Sequence, residues 1–182
     1  QLNFAKMIPG KEEFYGLLEY YRNEIERLQI NIMIGHRVEV SDLINFDEVI
    51  LATGVTPRKI AIQGQEKVNF VFDYQEVFND NVKVGNKVAI IGAGGIGFDI
   101  AEYISSSGIS PTLDLKKWMK KWGVTDPEKE RGGVAQKNQF SENTLQKQIF
   151  LLQRKNEKLG KRLGKTTGWI HRKSLEKKNV KI

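Results

Sequence analysis

The sequence predicts an α/β fold in which helices flank parallel β-strands. Short apolar runs of strand length alternate with longer stretches whose apolar residues recur at helical spacing. A glycine-rich turn joins one such run, residues 88–91, to a helical stretch that begins at Phe98, and a second run occupies residues 148–152. With 182 residues, 40% of them hydrophobic, the chain has enough apolar material for a packed core.

The N-terminal part predicts a helix and then a strand. Between residues 11 and 28, apolar side chains recur every three or four positions and form one stripe: Phe14, Leu17, Leu18, Tyr21, Ile25 and Leu28. We therefore expect an amphipathic helix that covers an apolar surface. After it, residues 30–34 (INIMI) predict a strand, and residues 36–38 predict a further extended segment.

The stretch FDEVILATG predicts a buried strand over residues 48–52 that ends at Thr53 and Gly54. Ligands in open α/β sheets bind at the carboxyl ends of strands, and a small hydroxyl residue before a glycine lets a ligand approach closely. The less regular residues 58–84 predict a connecting segment. It is expected to contain a short strand at 70–72 and one helical turn around 75–78.

A G-x-G-x-x-G motif lies in KVAIIGAGGIGFDIA. In a dinucleotide-binding unit the first glycine turns the chain, the second lets backbone N–H groups approach a pyrophosphate, and the third lets helix and strand pack closely. The phosphates then lie at the positive end of the helix dipole. We expect a Rossmann-like unit with its phosphate-binding residues at Gly92, Ala93, Gly94, Gly95, Ile96 and Gly97. The alternative is a tight strand-to-helix turn that binds nothing.

Beyond this motif the pattern predicts an insertion and then further α/β elements. The helix from Phe98 is expected to end near Gly108. Residues 109–147 are polar, rich in Lys and Trp, and interrupted by glycines, so they are interpreted as an insertion. The elements expected after residue 108 are an amphipathic helix at 115–122, strands at 148–152 and 180–182, and a helix at 167–178.

Two cations follow the predicted strand at 148–152. NAD-binding units place an acidic residue at the end of this strand, where it binds the ribose 2′-hydroxyl. Here Arg154 and Lys155 occupy that place, and two cations suit the 2′-phosphate of NADP. We therefore expect NADP(H) as the nucleotide, the alternative being that both residues are solvated loop charges.

The composition excludes several kinds of chemistry. With no cysteine, the sequence can form no disulfide, thiolate metal site or iron–sulfur ligation, so redox chemistry must belong to a bound cofactor. The two histidines, His36 and His171, lack metal-ligand spacing, and no catalytic set can be assembled. No apolar stretch is long enough for a membrane helix and no signal peptide is recognisable, so we expect a cytoplasmic protein without a membrane partner.

Charge divides the chain into two halves. Residues 1–115 carry 10 Lys and Arg against 16 Asp and Glu, whereas residues 116–182 carry 19 against 6. The basic half raises the alternative of a nucleic-acid-binding surface. Its aromatic residues are not spaced like a base-stacking platform, so we expect no nucleic-acid partner and one local anion site.

Five stretches of the sequence resemble the bacterial 2,4-dienoyl-CoA reductases, a family of old yellow enzyme–related iron–sulfur flavoproteins. They are FAKMIPGKEEF, FDEVILATG, VGNKVAIIGAGGIGFD, LQRK and LGKTTGWIHR, and together they span nearly the whole chain. The ATG and glycine motifs are shared with other two-dinucleotide flavoproteins, such as trimethylamine dehydrogenase. The GKTTGWIHR stretch and the long insertion are more specific, and they resemble the reductases rather than the other flavoproteins.

The resemblance implies a glutathione-reductase-like module with two dinucleotide sites, incomplete at both ends. Residues 1–57 would be the later part of an FAD-binding domain, 58–84 the connection, and 85–182 part of an NADP(H)-binding domain with its insertion at about 109–147. On the FAD side the matching residues are Val38, Thr53 and Gly54. On the NADPH side they are the loop from Gly92 to Gly97 for the pyrophosphate, and Arg154 with Lys155 for the 2′-phosphate.

The resemblance also implies an activity for a longer parent protein. Such a parent would reduce unsaturated fatty acyl-CoA in β-oxidation, with electrons passing from NADPH through FAD, a 4Fe-4S cluster and FMN. The cluster, the FMN and all catalytic residues would lie outside this sequence, so this piece alone is expected to be inactive. The alternatives are another two-dinucleotide flavoprotein reductase, similar to trimethylamine dehydrogenase, or a non-catalytic nucleotide-binding module.

Overall fold

A computed structural model describes residues 1–79, 82–135 and 147–181. Within these ranges the helices are α1 (Leu2–Ala5), α2 (Phe14–Arg27), α3 (Tyr74–Phe78), α4 (Gly95–Ser105), α5 (Leu115–Trp122) and α6 (Gly168–Lys177). The strands are β1 (Lys87–Ile91) and β2 (Gln148–Leu152). Short 3₁₀ turns occupy Val40–Leu43, Gln65–Lys67, Pro111–Leu113 and Arg131–Gly133. None of the helices in these ranges is long and apolar enough to cross a bilayer.

The sheet is parallel, as the sequence predicts. β1 and β2 pair in register from Lys87 opposite Gln148 to Ile91 opposite Leu152. On the far side of β2, Lys181 forms an isolated parallel bridge to Phe150, at the start of the predicted third strand. The spatial order, with β2 between β1 and residue 181, is that of the first half of a doubly wound sheet. The α/β, Rossmann-like fold class is therefore confirmed.

Helices α4 and α6 cover one face of the sheet and enclose the core. Along β2 the buried Ile149 and Leu151 alternate with less buried residues, of which Phe150 is half-buried, so the strand presents one apolar face to the helices. Ala101 of α4 and Leu175 of α6 are buried against this face. The small side chain of Ala101 lets helix and sheet approach closely.

Aromatic contacts attach the N-terminal segment to α4. The ring of Phe4 in α1 stacks on Phe78 of α3 with centroids 5.5 Å apart. Phe78 in turn lies 4.8 Å from the ring of Tyr103 in α4. The predicted helical turn at 75–78 is thus confirmed as α3, and it extends the core beyond the sheet.

Polar contacts hold α6 and the N-terminal segment against α4. The Lys178 ammonium lies 2.5 Å from the Glu102 carboxylate, and Ser174 also donates to Glu102. The side chains of Lys178 and Glu102 are only 5% and 14% exposed. Less than one turn earlier in α4, Lys11 pairs with Asp99 at 2.6 Å. These pairs connect α6 and the N-terminal segment to α4.

The strands predicted between residues 30 and 73 are wrong. The structure describes all of these residues and forms no β-strand at 30–34, 36–38, 48–52 or 70–72. Their apolar side chains are exposed, and Leu51 is 82% accessible. A strand depends on hydrogen bonds from a neighbouring strand, and the described chain brings none alongside. Short apolar runs in this region therefore predict strands, but the described chain supplies no neighbouring strand with which they could pair.

Helix α2 confirms the predicted helix but its predicted role only in part. None of its residues is buried. In the apolar stripe Tyr21 and Leu28 are exposed, and the other members are half-buried: Phe14, Leu17, Leu18 and Ile25. It approaches α1 near its first turn, where the Lys6 ammonium lies 5.0 Å from the Tyr15 ring centroid. The expectation that this stripe covers an apolar surface is met only in part within the described chain.

The predicted helix within residues 109–147 is present as α5. Asp114 caps the helix by accepting a hydrogen bond from the Lys117 N–H, and Gly123 ends it in the left-handed conformation. Val124 and Val134 then form an antiparallel bridge. Residues 136–146, the rest of the predicted insertion, lie outside the described residues.

Candidate functional site

The glycine loop forms a tight turn between β1 and α4. Gly92 has φ +119°, a conformation that side chains disfavour. A Cβ built on Gly97 would lie 1.8 Å from the Gly92 carbonyl oxygen and 3.3 Å from a methyl carbon of Leu151. Only glycine fits at position 97, so the motif creates the close packing of helix on strand that a dinucleotide site requires.

The first turn of α4 is open towards the end of the sheet. Gly94 is its N-cap, and the first backbone hydrogen bond into the helix runs from the Phe98 N–H to the Gly94 carbonyl at 3.1 Å. The N–H groups of Gly95, Ile96 and Gly97 come before that bond and have no intrahelical acceptor. A Cβ at Gly94 or Gly95 would meet no atom within 4 Å, and the first turn holds no acidic residue. This cradle therefore fits a phosphate group.

The predicted cation pair lies at the same edge of the sheet as the glycine loop. The Gly92 N–H donates to the Leu152 carbonyl at 2.8 Å, which joins the loop to the last residue of β2. Arg154 follows two residues later, and two residues span at most about 7 Å. Arg154 and Lys155 are exposed. The structure therefore brings the glycine loop and both cations to the carboxyl edge of the two strands.

Contacts that the sequence did not indicate shape the segment that carries these cations. The Gln153 side-chain amide donates to the carbonyl of Lys155 at 2.7 Å and also to the carbonyl of Glu157. The hydrogen bond from Lys161 lowers the pKa of Glu157 below its ordinary value. Because the Gln153 side chain binds two carbonyls further along the chain, it stabilises a turn directly after β2.

A second contact holds this segment against α4. Gly160 has φ +66°, and a Cβ there would lie 3.0 Å from the Phe98 ring. An Arg172 guanidinium N–H donates to the Gly160 carbonyl at 3.4 Å. An isolated glycine in a basic stretch is the only sequence signal for this close approach, and it is a weak one.

The residues predicted on the flavin side are not brought together in a comparable way. Thr53 and Gly54 do not end a strand, which corrects the setting expected for them. Val38 and both of these residues are exposed. Gly54 has φ +79°, and a Cβ there would meet no atom within 4 Å. The proposed contacts of these three residues to FAD remain predictions.

The described residues contain no group of three or more His, Cys, Asp or Glu side chains that could hold a metal ion. His36 instead lies 3.0 Å from the Asp42 carboxylate. His171 lines a cavity between helices, described below.

Comparison with known proteins decides the family. Residues 10–182 match the model described as pyridine nucleotide-disulphide oxidoreductase. The chain belongs to this family. Membership implies oxidoreductase chemistry with pyridine nucleotide and flavin, in agreement with the phosphate cradle after β1.

Several curated relatives are named as reductases and are much longer than this chain. A cinnamate reductase of Clostridium sporogenes is 30% identical over 116 residues, which cover 60% of this chain and 17% of that protein. A bilirubin reductase of Mediterraneibacter gnavus is 32% identical over 110 residues, or 59% of this chain and 17% of that protein. A metal reductase of Desulforamulus reducens is 25% identical over 186 residues, or 99% of this chain and 26% of that protein. The chain thus spans at most 26% of the length of these relatives.

Proposed function

We propose that residues 85–182 bind NADP(H) for a flavoprotein oxidoreductase and place its nicotinamide beside a flavin. The observation that carries this proposal is the hydrogen bond from the Gly92 N–H to the Leu152 carbonyl. This bond joins the glycine loop to the last residue of β2, two residues before Arg154, and so supports a shared site at this edge of the sheet. The bound nicotinamide would supply a hydride, while this chain supplies binding and orientation.

In this proposal the loop from Gly92 to Gly97 binds the pyrophosphate through the free N–H groups of the first turn of α4. Arg154 and Lys155 pair with the 2′-phosphate of the adenosine. Both cations are exposed, and neither forms an ion pair at contact distance within the described residues. The Glu157 carboxylate attracts Lys155 at longer range, so a bound phosphate would compete with Glu157 for that charge. Arg154 would bind two phosphate oxygens at once, and Lys155 would add a point charge.

For the parent protein we propose the reduction of an unsaturated acyl thioester, as the resemblance to 2,4-dienoyl-CoA reductases implies. Relatives named cinnamate reductase and multifunctional alkene reductase/demethylase support an unsaturated substrate. In that parent Val38, Thr53 and Gly54 would contact FAD. FMN and a 4Fe-4S cluster would be held by residues outside this sequence, which has no cysteine.

A competing candidate is a nucleotide site specific for NADH. A relative of Thermoanaerobacter brockii is named NADH oxidase, and it is 30% identical to this chain over 118 residues. In that case Arg154 and Lys155 would be solvated loop charges without a ligand.

Titration calorimetry with 2′,5′-ADP and 5′-AMP separates the two candidates, because these ligands differ only in the 2′-phosphate. We expect 2′,5′-ADP to bind more tightly. Arg154→Ala or Lys155→Ala should each weaken its binding by roughly tenfold or more, while the affinity for 5′-AMP stays unchanged. Lys147→Ala is the matched control, since it removes a lysine just before the opposite end of β2.

Equal affinity of the chain for the two ligands would exclude the 2′-phosphate assignment in favour of NADH. If neither ligand binds, the glycine loop is not a nucleotide site in this chain. Titrations of the same variants with NADPH and NADH then test the whole cofactors. We expect NADPH to bind more tightly than NADH, as 2′,5′-ADP does relative to 5′-AMP.

A further inference from the structure

A cavity of about 430 Å³ lies on the outer side of the helix layer, away from the sheet. Its walls come from residues 8–11, α4, residues 110–112, α5 and α6. No residue of the glycine loop lines it, and neither does Arg154 or Lys155. It is therefore a separate feature from the proposed nucleotide site.

All three tryptophans of the protein line this cavity. Trp118 and Trp122 lie one turn apart on α5, and Trp169 lies on the first turn of α6. Trp169 is 57% exposed, although a large aromatic side chain gains most from burial. Ile8 and Ile170 add aliphatic side chains to the lining. The walls are therefore rich in aromatic and aliphatic groups.

The charged groups of the lining already have partners. Asp99 pairs with Lys11 at 2.6 Å, and Glu102 pairs with Lys178 at 2.5 Å. Lys121 also has an interaction partner. A charged ligand would have to compete with these contacts and lose its own hydration, whereas an uncharged ligand would not.

A few polar groups remain that can orient an uncharged ligand. The hydroxyls of Ser110 and Thr112 lie 2.7 Å apart at one side of the cavity. Both hydrogen-bond to the Glu12 carboxylate, Thr112 at 2.7 Å, so they offer a ligand oxygen lone pairs as acceptors rather than free protons. The His171 imidazole lies among the lining side chains from α6. Apolar walls with a small number of polar groups are the usual composition of small-molecule sites, and the volume lies within their usual range.

We propose that this cavity binds an uncharged, planar aromatic compound of two or three rings with one or two hydrogen-bonding groups. Its rings would stack on the indoles of Trp118 and Trp169, and its polar group would meet the Ser110 and Thr112 hydroxyls or His171. The cavity and the proposed nucleotide site share no residue, although α4 contributes to both.

Tryptophan fluorescence tests the proposal directly, because every emitting indole lines the site. The probe is N-phenyl-1-naphthylamine, which is uncharged, and its matched partner is 1-anilinonaphthalene-8-sulfonate, which adds one negative charge to the same ring skeleton. We expect the uncharged probe to quench the indole emission, to bind with one molecule per chain, and to bind several-fold more tightly than the sulfonate.

Variants of the 182-residue chain locate the binding. Trp118→Ala and Trp169→Ala should each weaken the uncharged probe by roughly tenfold, whereas Trp118→Phe and Trp169→Phe should retain most of the affinity because they keep an aromatic face. Phe46→Ala is the control, since it removes an exposed ring outside the cavity. Circular dichroism checks that each variant is folded.

Three results would overturn the proposal. The first is equal probe affinity in the Trp→Ala variants and the unsubstituted protein, which would place the probe elsewhere. The second is absence of saturable binding with one probe per chain. The third is sulfonate binding as tight as that of the uncharged probe, which would exclude the ligand class assigned here.

Discussion

Residues 30–73 and residues 87–181 contain similar strand-like sequences but have different structures. Both regions contain apolar runs of strand length, such as EVILA before Thr53 and QIFLL before Gln153. In the first region Leu51 is 82% exposed, and in the second Leu151 is 1% exposed. The difference lies in pairing, since β2 has β1 on one side and Lys181 on the other. An apolar run therefore becomes a strand only where the chain supplies its neighbours.

The largest effect is expected from Gly97→Ala. This substitution adds a methyl group where α4 packs most closely on the paired strands. The new Cβ would overlap the Gly92 carbonyl oxygen at 1.8 Å, so α4 would have to move away from the sheet. We expect a loss of more than about 4 kcal/mol in the free energy of unfolding, or no folded protein. Denaturant unfolding followed by circular dichroism measures this change.

Gly95→Ala is the matched control, because a Cβ at that position meets no atom within 4 Å. Its stability should change by less than about 1 kcal/mol. If Gly97→Ala unfolds at the same denaturant concentration as Gly95→Ala, the close packing of α4 on β1 is refuted.

Lys178→Met should follow in size. It leaves the Glu102 carboxylate nearly buried without its cation, which costs about 3–5 kcal/mol in comparable proteins. Lys173→Met on the same helix breaks a pair to Glu176 whose side chains are 51% and 68% exposed, so it should cost less than about 1 kcal/mol. Chemical denaturation compares the two, and equal losses would show that the buried pair does not hold α6 to α4.

A pair of identical substitutions tests the comparison of the two regions most directly. Leu151→Ala removes core volume and should destabilise the protein by about 2–4 kcal/mol. Leu51→Ala removes the same atoms from an exposed site and should change stability by less than about 0.5 kcal/mol. Thermal unfolding measures both variants. A large loss for Leu51→Ala would mean that residues 48–52 are packed against another part of the protein.

The smallest effect concerns the local order of residues 30–73. The Glu39 backbone N–H, and then the His36 side chain, hold the pKa of Asp42 below its ordinary value of 3.8. A carboxyl whose pKa is lowered in the folded state stabilises that state above its unfolded pKa, and this contribution is lost as the pH falls through the folded pKa.

His36→Ala should therefore raise the pKa of Asp42 only part of the way to its ordinary value, because the larger contribution from the Glu39 N–H remains. An NMR titration of the Asp42 carboxyl carbon measures this shift. A full return to the ordinary value would show that the 3₁₀ turn at Val40–Leu43 depends on the histidine rather than on its own backbone.

Local sequence signals predicted the elements whose own residues decide their structure. Helix α5 and strand β2 have the predicted bounds, because amphipathic spacing, an Asp N-cap and a terminal glycine specify the first, and a β-rich run before polar residues specifies the second. The strands at 30–34 and 48–52 failed because strand pairing depends on residues distant in sequence.

In the candidate site too, features set by local sequence were predictable and features set by distant contacts were not. The glycine motif and its strand were predictable, because the spacing of the glycines itself describes the turn. The roles of Gln153 and Gly160 were not, since they depend on contacts with the folded loop and with Phe98. The aromatic cavity was also unpredicted, because Trp169 joins Trp118 and Trp122 only through the packing of α6 beside α4.

The register of β1 on β2 also has a consequence for how the insertion can be accommodated. Lys87 pairs with Gln148, so the chain closes a loop of about sixty residues, roughly twice the length of a simple strand–helix–strand unit. Doubling a flexible loop adds only about 0.6 kcal/mol of closure entropy, whereas distant contacts slow folding markedly. The closure entropy of the longer loop therefore changes the free energy of unfolding very little. The main cost of the extra segment is slower formation of the β1–β2 pair during folding.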